Sequence, residues 1–274
     1  MYFVRESALV ARGWQTHVFN AAYYPLSALP WLLMLNNRIL RYGTIALVVV
    51  AIFLSTKRTS LLAVVLATTS AFGCRLTVAS SLRERVRIVL AALFMLGVGS
   101  GAVVLLGFSE MDQSRLFVER LDSTVETGGT RRIDIYQDYI EELSLMSFSE
   151  LLTGHGFNSG RLILMKSAHN DWLEALYDFG IIDLILYVAL HFLLLKRMVE
   201  LIRMKSFLAE PYAVAYAIFF MMSLTSHLII YPNYFTVLVA FWGMVEGRLD
   251  TNTEGLVEGI ASPTSLHQST YPLL

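Results

Sequence analysis

Residues 180–197 read GIIDLILYVALHFLLLKR, an apolar run with one charge, Asp183, that the basic pair Lys196-Arg197 closes. Such a run is a buried core helix or a membrane helix, and the rest of the chain decides between the two. Of its 274 residues, 55% are hydrophobic and 16% charged, and the mean hydropathy is +0.57. A soluble chain carries about 25% charged residues. Here the charges are swept into clusters between apolar runs, which marks an integral membrane protein. Residues 18–35, 42–54, 61–73 and 88–107 precede the 180–195 run, and 211–230 and 234–245 follow it. Together they predict an all-α, polytopic transmembrane helix bundle of about seven spans. Two runs, 42–54 and 61–73, fall short of the roughly 20 residues that cross a bilayer. Either their flanking polar residues complete them, or the turn at 55–60 lies below the membrane surface. Pro25 and Pro30 predict a kinked or broken first span.

A polar stretch at 108–171 interrupts the apolar pattern. It holds Gly128-Gly129-Thr130-Arg131-Arg132, Gly154-His155-Gly156 and Ala168-His169-Asn170-Asp171. A connection this long without its own core is usually functional or disordered. Within it Ile133, Tyr136, Ile140 and Leu143 recur at helical spacing, with Asp134, Asp138, Glu141 and Glu142 on the wetter face, which predicts an amphipathic helix. The chain thus divides into N-terminal spans (1–107), a large loop (108–171), C-terminal spans (172–246) and a polar tail (247–274) expected to be disordered.

Lys and Arg gather on the cytoplasmic side of short connections. Arg38 and Arg41, the Arg75 to Arg87 cluster, Lys196 to Lys205, and Arg248 fall on one side when the spans alternate. The loop then faces outward, and so does Met1. An external start with an odd number of spans is expected of the C-terminal portion of a longer protein. Lys57 and Arg58 break the rule by lying outside, where a basic pair can serve an anion or anchor in lipid headgroups. The single Cys74 excludes an internal disulfide framework and any multi-cysteine metal site. No other metal-ligand spacing and no nucleotide-binding glycine loop is present.

Arg58 in Ser-Thr-Lys-Arg-Thr-Ser, Arg132 four residues before Tyr136, Gly154-His155-Gly156, and His169-Asn170 ahead of Tyr177-Asp178-Phe179-Gly180 occur in this order over residues 20–242. The ordered set resembles the O-antigen ligase and polymerase membrane family. That family carries more N-terminal spans, and often a glycine where this chain has Asp183. The resemblance implies a glycosyltransferase of polysaccharide and lipopolysaccharide biosynthesis in the bacterial inner membrane. Its members move a glycan from a polyprenyl diphosphate to a hydroxyl of a glycan or lipid A core acceptor outside the cytoplasmic membrane. No cofactor and no nucleic acid is implied, and the reaction is expected to be metal-independent. Ligase and polymerase differ in the acceptor, and both stay open.

A diphosphate leaving group needs cations as charge develops on its oxygens, and the planar arginine fork pairs with them best. Arg58 and Arg132 are the expected diphosphate ligands, with Lys57 and Arg131 as weaker neighbours. The acceptor hydroxyl needs a base with a pKa near neutrality. Asn170 and Asp171 beside His169 also suit a helix N-terminus, but the resemblance makes His169 the favoured base, with His227 next in line. His191 is expected near the cytoplasmic end of its span, on the wrong side. The competing readings are a membrane carrier, for which charged residues at helix interruptions also speak, and an inactive truncated member of the family.

Overall fold

The computed structural model describes residues 22–54, 58–105, 132–226, 228 and 232–261, with side chains for all of these except 53–54, 58, 94–105, 232 and 250–261. Every regular element among them is a helix. Four come first: α1 (Tyr23–Leu33), α2 (Arg38–Leu54), α3 (Arg58–Val78) and α4 (Leu82–Leu105). Four shorter ones follow: α5 (Arg132–Leu145), α6 (Phe148–Thr153), α7 (Ser159–Ile163) and α8 (Asp171–Glu174). The last of these runs through a π turn (Ala175–Phe179) into α9 (Gly180–Arg203), and α10 (Ala209–Thr225) and α11 (Pro232–Ala261) complete the described chain. Two stretches are long and apolar enough to cross a membrane, Thr59–Val78 and Asp171–Arg203.

The short apolar run at 61–73 is completed by its neighbours. Arg58, Thr59 and Ser60 join the N-terminus of α3 and Cys74 to Val78 its C-terminus, which gives 21 residues, or about 31 Å at 1.5 Å per residue. The expected break in α1 is not seen, since one helix runs through Pro30. Pro25 lies in the first turn, where no N–H is needed. Pro30 leaves only the carbonyl one turn back without its donor. At 11 residues, α1 is about 16 Å long. Helix α11 continues to Ala261, into the part expected to be irregular, because Leu249, Leu256 and Ile260 carry on the helical spacing of Val245. Residues 262–274 lie outside the described residues.

Helix α10 is the centre of the bundle. Its apolar residues are buried nearly all round, among them Ala213, Val214, Ala217, Ile218, Phe219 and Met222, as expected of a helix enclosed by others. Ala209, Ala213 and Ala217 belong to the same core as Ala63 and Ala67 of α3. Small residues let two backbones approach closely, which is how helices associate without a hydrophobic drive between them. On α9 the residues Tyr187, His191, Leu194 and Leu201 form the buried stripe. The indole N–H of Trp31 on α1 donates to the Val237 carbonyl of α11 at 3.2 Å, and Trp31 packs edge-on against Phe241.

These ties define two ends. One carries Arg75 of α3 with Glu210 of α10 at 2.6 Å, and Arg197 of α9 with Glu246 of α11. The opposite end carries Tyr23, Thr59, Ser226 and the starts of α9 and α11. A second, smaller core lies beside that end, centred on Tyr139, Ala168 and Tyr177, with Ile135, Tyr136, Leu143 and Leu173 against it. Residues between 132 and 179 therefore build a small core of their own.

Candidate functional site

Helix α5 starts at Arg132, whose side chain is half-buried. The helix expected from the 133/136/140/143 spacing is present, but its inward face is rotated. Ile133 and Ile140 are exposed, and Tyr139 is buried. The Tyr139 hydroxyl donates to the Lys166 carbonyl at 3.1 Å, and its ring meets Tyr177 edge-on at 4.9 Å. Burial pushes the Tyr139 phenol well above its ordinary value, and the Glu174 and Asp178 carboxylates push the same way. It is a donor at every physiological pH. Lys166 pairs with Asp138 of the same helix, so the 164–168 segment is tied to α5 twice.

Asp178 holds the glycine turn. Its carboxylate accepts from Asn158 N at 2.8 Å, Ser159 Oγ at 2.7 Å and Gly160 N at 3.2 Å. The π turn leaves the carbonyls of Tyr177 and Asp178 free for outside donors, and they accept from His155 N at 3.1 Å and Gly156 N at 2.7 Å. A Cβ at Gly154, where φ is +70°, would come within 2.3 Å of the Asp178 carbonyl oxygen. At Gly180, with φ +79°, it would meet the Leu152 carbonyl oxygen at 2.4 Å. The Gly-His-Gly motif and the Tyr-Asp-Phe-Gly motif are thus two halves of one clamp. His155 packs edge-on against Tyr177, inside that clamp.

The His169 turn is built by three carboxyl or amide side chains. Asn170 caps α8, accepting from Trp172 N at 3.0 Å and Leu173 N at 3.2 Å. Glu174, 2% exposed, accepts from the His169 backbone N–H at 3.1 Å. That bond holds His169 in a left-handed conformation with φ +55° and leaves its side chain half-buried. Asp171 is fully buried. It accepts from the Tyr187 hydroxyl at 3.1 Å and from Leu228 N at 2.9 Å, which joins the His169 turn to α9 and to the segment after α10. Trp172 donates to Ser223 Oγ at 3.1 Å.

Tyr23 gathers the remaining pieces. Its buried phenol lies beside the hydroxyls of Ser226 and Thr59, with Arg132 near enough to act on it by charge. Thr59 follows Arg58 in the chain, Leu228 follows His227, and Asp171 lies two residues after His169. Four separate stretches therefore meet at one end of the bundle. Arg132 and His169 are described there with their side chains. Arg58 opens α3, and only its backbone is described. Lys57, Arg131 and His227 lie outside the described residues.

No protein-family model matches the chain, and neither a characterised protein nor a solved structure matches it significantly. The site stands on its own geometry. Sequence reading overlooks Tyr23, Asp171 as a buried acceptor, Glu174 and Asp178. Only Asp171 and Glu174 leave a local trace, as two carboxylates three residues apart after a capping Asn. His191 lies farther from the charged end than its expected place, about 16 Å down α9 from Gly180, stacked between Trp172 and Phe219. Among the described residues no three His, Cys, Asp or Glu are arranged to hold a metal ion. What the arrangement offers is a half-buried histidine in a turn fixed by the buried carboxylates of Asp171 and Glu174, with Arg132 at the start of α5 near Tyr23.

Proposed function

We propose that the chain is a multi-pass membrane glycosyltransferase of the O-antigen ligase or polymerase kind, acting outside the cytoplasmic membrane on a polyprenyl-diphosphate-linked glycan. The observation that supports this reading is the meeting of Thr59, Arg132, the 169–171 turn, Ser226 and Leu228 around Tyr23 and Asp171. On this reading α1 to α4 and α9 to α11 lie in the bilayer, and α5 to α8 cover their outer end.

In the proposed reaction the acceptor hydroxyl oxygen attacks the anomeric carbon of the donor sugar. His169 takes the hydroxyl proton. The bond from that carbon to the diphosphate oxygen breaks, and its electron pair leaves with the diphosphate. Arg132 and Arg58 neutralise the charge that develops there, an electrostatic role that strengthens as water is excluded. Lys57 and Arg131, adjacent in the chain, add positive field. Glu174 contributes by fixing the His169 backbone.

A gel of surface polysaccharide from a null strain tests the assignment. Unattached long polymer is the ligase outcome and single repeat units the polymerase outcome. An unchanged ladder from a verified null strain overturns the proposal, and donor trapped on the cytoplasmic face favours a carrier.

A further inference from the structure

An apolar cavity of about 260 Å³ opens between α1, α2, α3 and α10. Leu33, Ile45, Val64 and Ala71 are among its walls, and its one polar end is formed by Tyr42 and the Arg75–Glu210 pair. That end lies away from His169, since Arg75 is in the last turn of α3 and Glu210 in the first turn of α10. Arg41 stands beside it. Its guanidinium lies 5.0 Å over the Tyr42 ring, and its Nη1 reaches the Leu33 carbonyl at 3.5 Å. The Arg41 Nε is buried with no hydrogen-bond partner. Glu210 answers the charge of Arg75, whereas among the described residues no carboxylate pairs with Arg41. Arg38, one turn earlier on α2, is exposed.

The Arg41 guanidinium thus carries a positive charge beside the cavity that no carboxylate among the described residues answers, and a phosphate is the anion that a guanidinium suits best. An apolar cavity open to hydrocarbon takes up hydrocarbon. We propose that this cavity binds one acyl chain of an anionic phospholipid from the surrounding bilayer, with the lipid phosphate on Arg41 and the Arg75–Glu210 pair at its side. Basic pockets between membrane helices hold anionic headgroups in this way. The lipid is not the glycan donor, because a donor with its diphosphate at Arg132 is anchored at the other end of the bundle. The inference needs the helices to lie in a bilayer and is independent of the transfer reaction.

The test uses the full chain, purified in mild detergent and incubated with equal amounts of phosphatidylglycerol and phosphatidylcholine, with retained lipid counted by native mass spectrometry. The wild type should keep one phosphatidylglycerol in preference to phosphatidylcholine. Arg41→Ala should weaken that retention about fivefold, the weight of one basic residue near an anionic membrane surface. Ala71→Phe, which fills the cavity, should abolish it, while Leu47→Ala on the exposed outer face of α2 should leave it unchanged. Equal retention of the two lipids by the wild type, or undiminished binding in Ala71→Phe, means a loose lipid shell and overturns the proposal. Should Ala71→Phe fail to fold, a phosphatidylglycerol with a photoreactive acyl chain decides on the wild type. Labelling of peptides spanning Ile45 and Val64 supports the site, and labelling confined to other helices overturns it.

Discussion

At the scale of the residue, the left-handed backbone of His169 is the most informative feature of the site. A non-glycine residue at positive φ is uncommon, and His, Asn and Asp are the types that tolerate it best. His169→Asn therefore keeps a backbone-compatible residue while removing the imidazole, a cleaner test than alanine. Transfer should fall by roughly 10²–10⁴, the loss expected for a general base, with the thermal midpoint unchanged. Wild-type transfer by this variant would move the base elsewhere, and His227 would be tested next. Arg132→Lys keeps the charge but loses the paired geometry, so in the same assay it should impair transfer more than Lys57→Ala does. Asp178 tests the clamp instead of the chemistry. Asp178→Asn turns an acceptor of three donors into a group that must present an NH₂ to at least one of them. The loss should be about 1–3 kcal/mol of stability, read as a lower midpoint in detergent. The clamp was not legible beforehand, because the partners of Asp178 lie 18 to 20 residues away. Nor was Tyr23, whose neighbours Thr59 and Ser226 lie on α3 and just past the end of α10. Arg132 and His169 were singled out by motif order alone, without their buried neighbours.

At the scale of the element, helix α6 shows how local signals suffice when the interaction is local. Ser147 and Glu150 form a reciprocal capping box, with Ser147 N donating to Glu150 Oε2 at 2.8 Å and Glu150 N to Ser147 Oγ at 3.4 Å. The Ser147 hydroxyl first and the Ser147 backbone N–H second, as donors to the Glu150 carboxylate, hold that carboxyl below its ordinary value of 4.5. A depressed carboxyl stabilises the fold above its unfolded value, and that contribution is lost as pH falls through the lower folded value. Amide exchange across 147–154 should therefore accelerate as the medium is acidified below about pH 4.5, and Glu150→Gln should flatten that dependence. An unchanged pH profile in Glu150→Gln would remove Glu150 as its cause. Helix α5 shows the opposite case. The stripes 133/136/140/143 and 135/136/139/143 share two members and differ by a small rotation. The choice between them is made by the Tyr139 hydroxyl reaching the Lys166 carbonyl, 27 residues on. Periodicity announces such a helix and leaves its angle to the tertiary partner.

At the scale of the whole molecule, the apolar pattern was enough for an all-helical chain with membrane-length helices, since each helix must satisfy its own backbone. The ends of those helices were read less well. Polar Thr59 and Ser60 belong to α3, where both are buried at the bundle end, which hydropathy does not register. The proposed orientation is open to direct measurement. Cysteines placed at 132 and 169 in a Cys74→Ser background should react with a membrane-impermeant thiol reagent once the outer membrane is permeabilised. Reaction only after the inner membrane is opened would reverse the topology and remove the proposed mechanism. One feature ties the two cores of the molecule together more tightly than any single contact. The π turn holds one residue more than an α turn would, and each residue of an α-helix advances the chain by about 100°. Together with the Gly180 break behind it (φ +79°) the turn folds the chain back on itself, so that Asp171 meets the Tyr187 hydroxyl and Trp172 stacks on His191. Deleting one residue between Ala175 and Phe179 would turn Asp171 and Glu174 by about 100° against the Gly180 break and take Asp171 out of reach of Tyr187 and Trp172 out of reach of His191. A substitution in either core is felt where it is made, whereas a change of length by one residue here is transmitted to both at once.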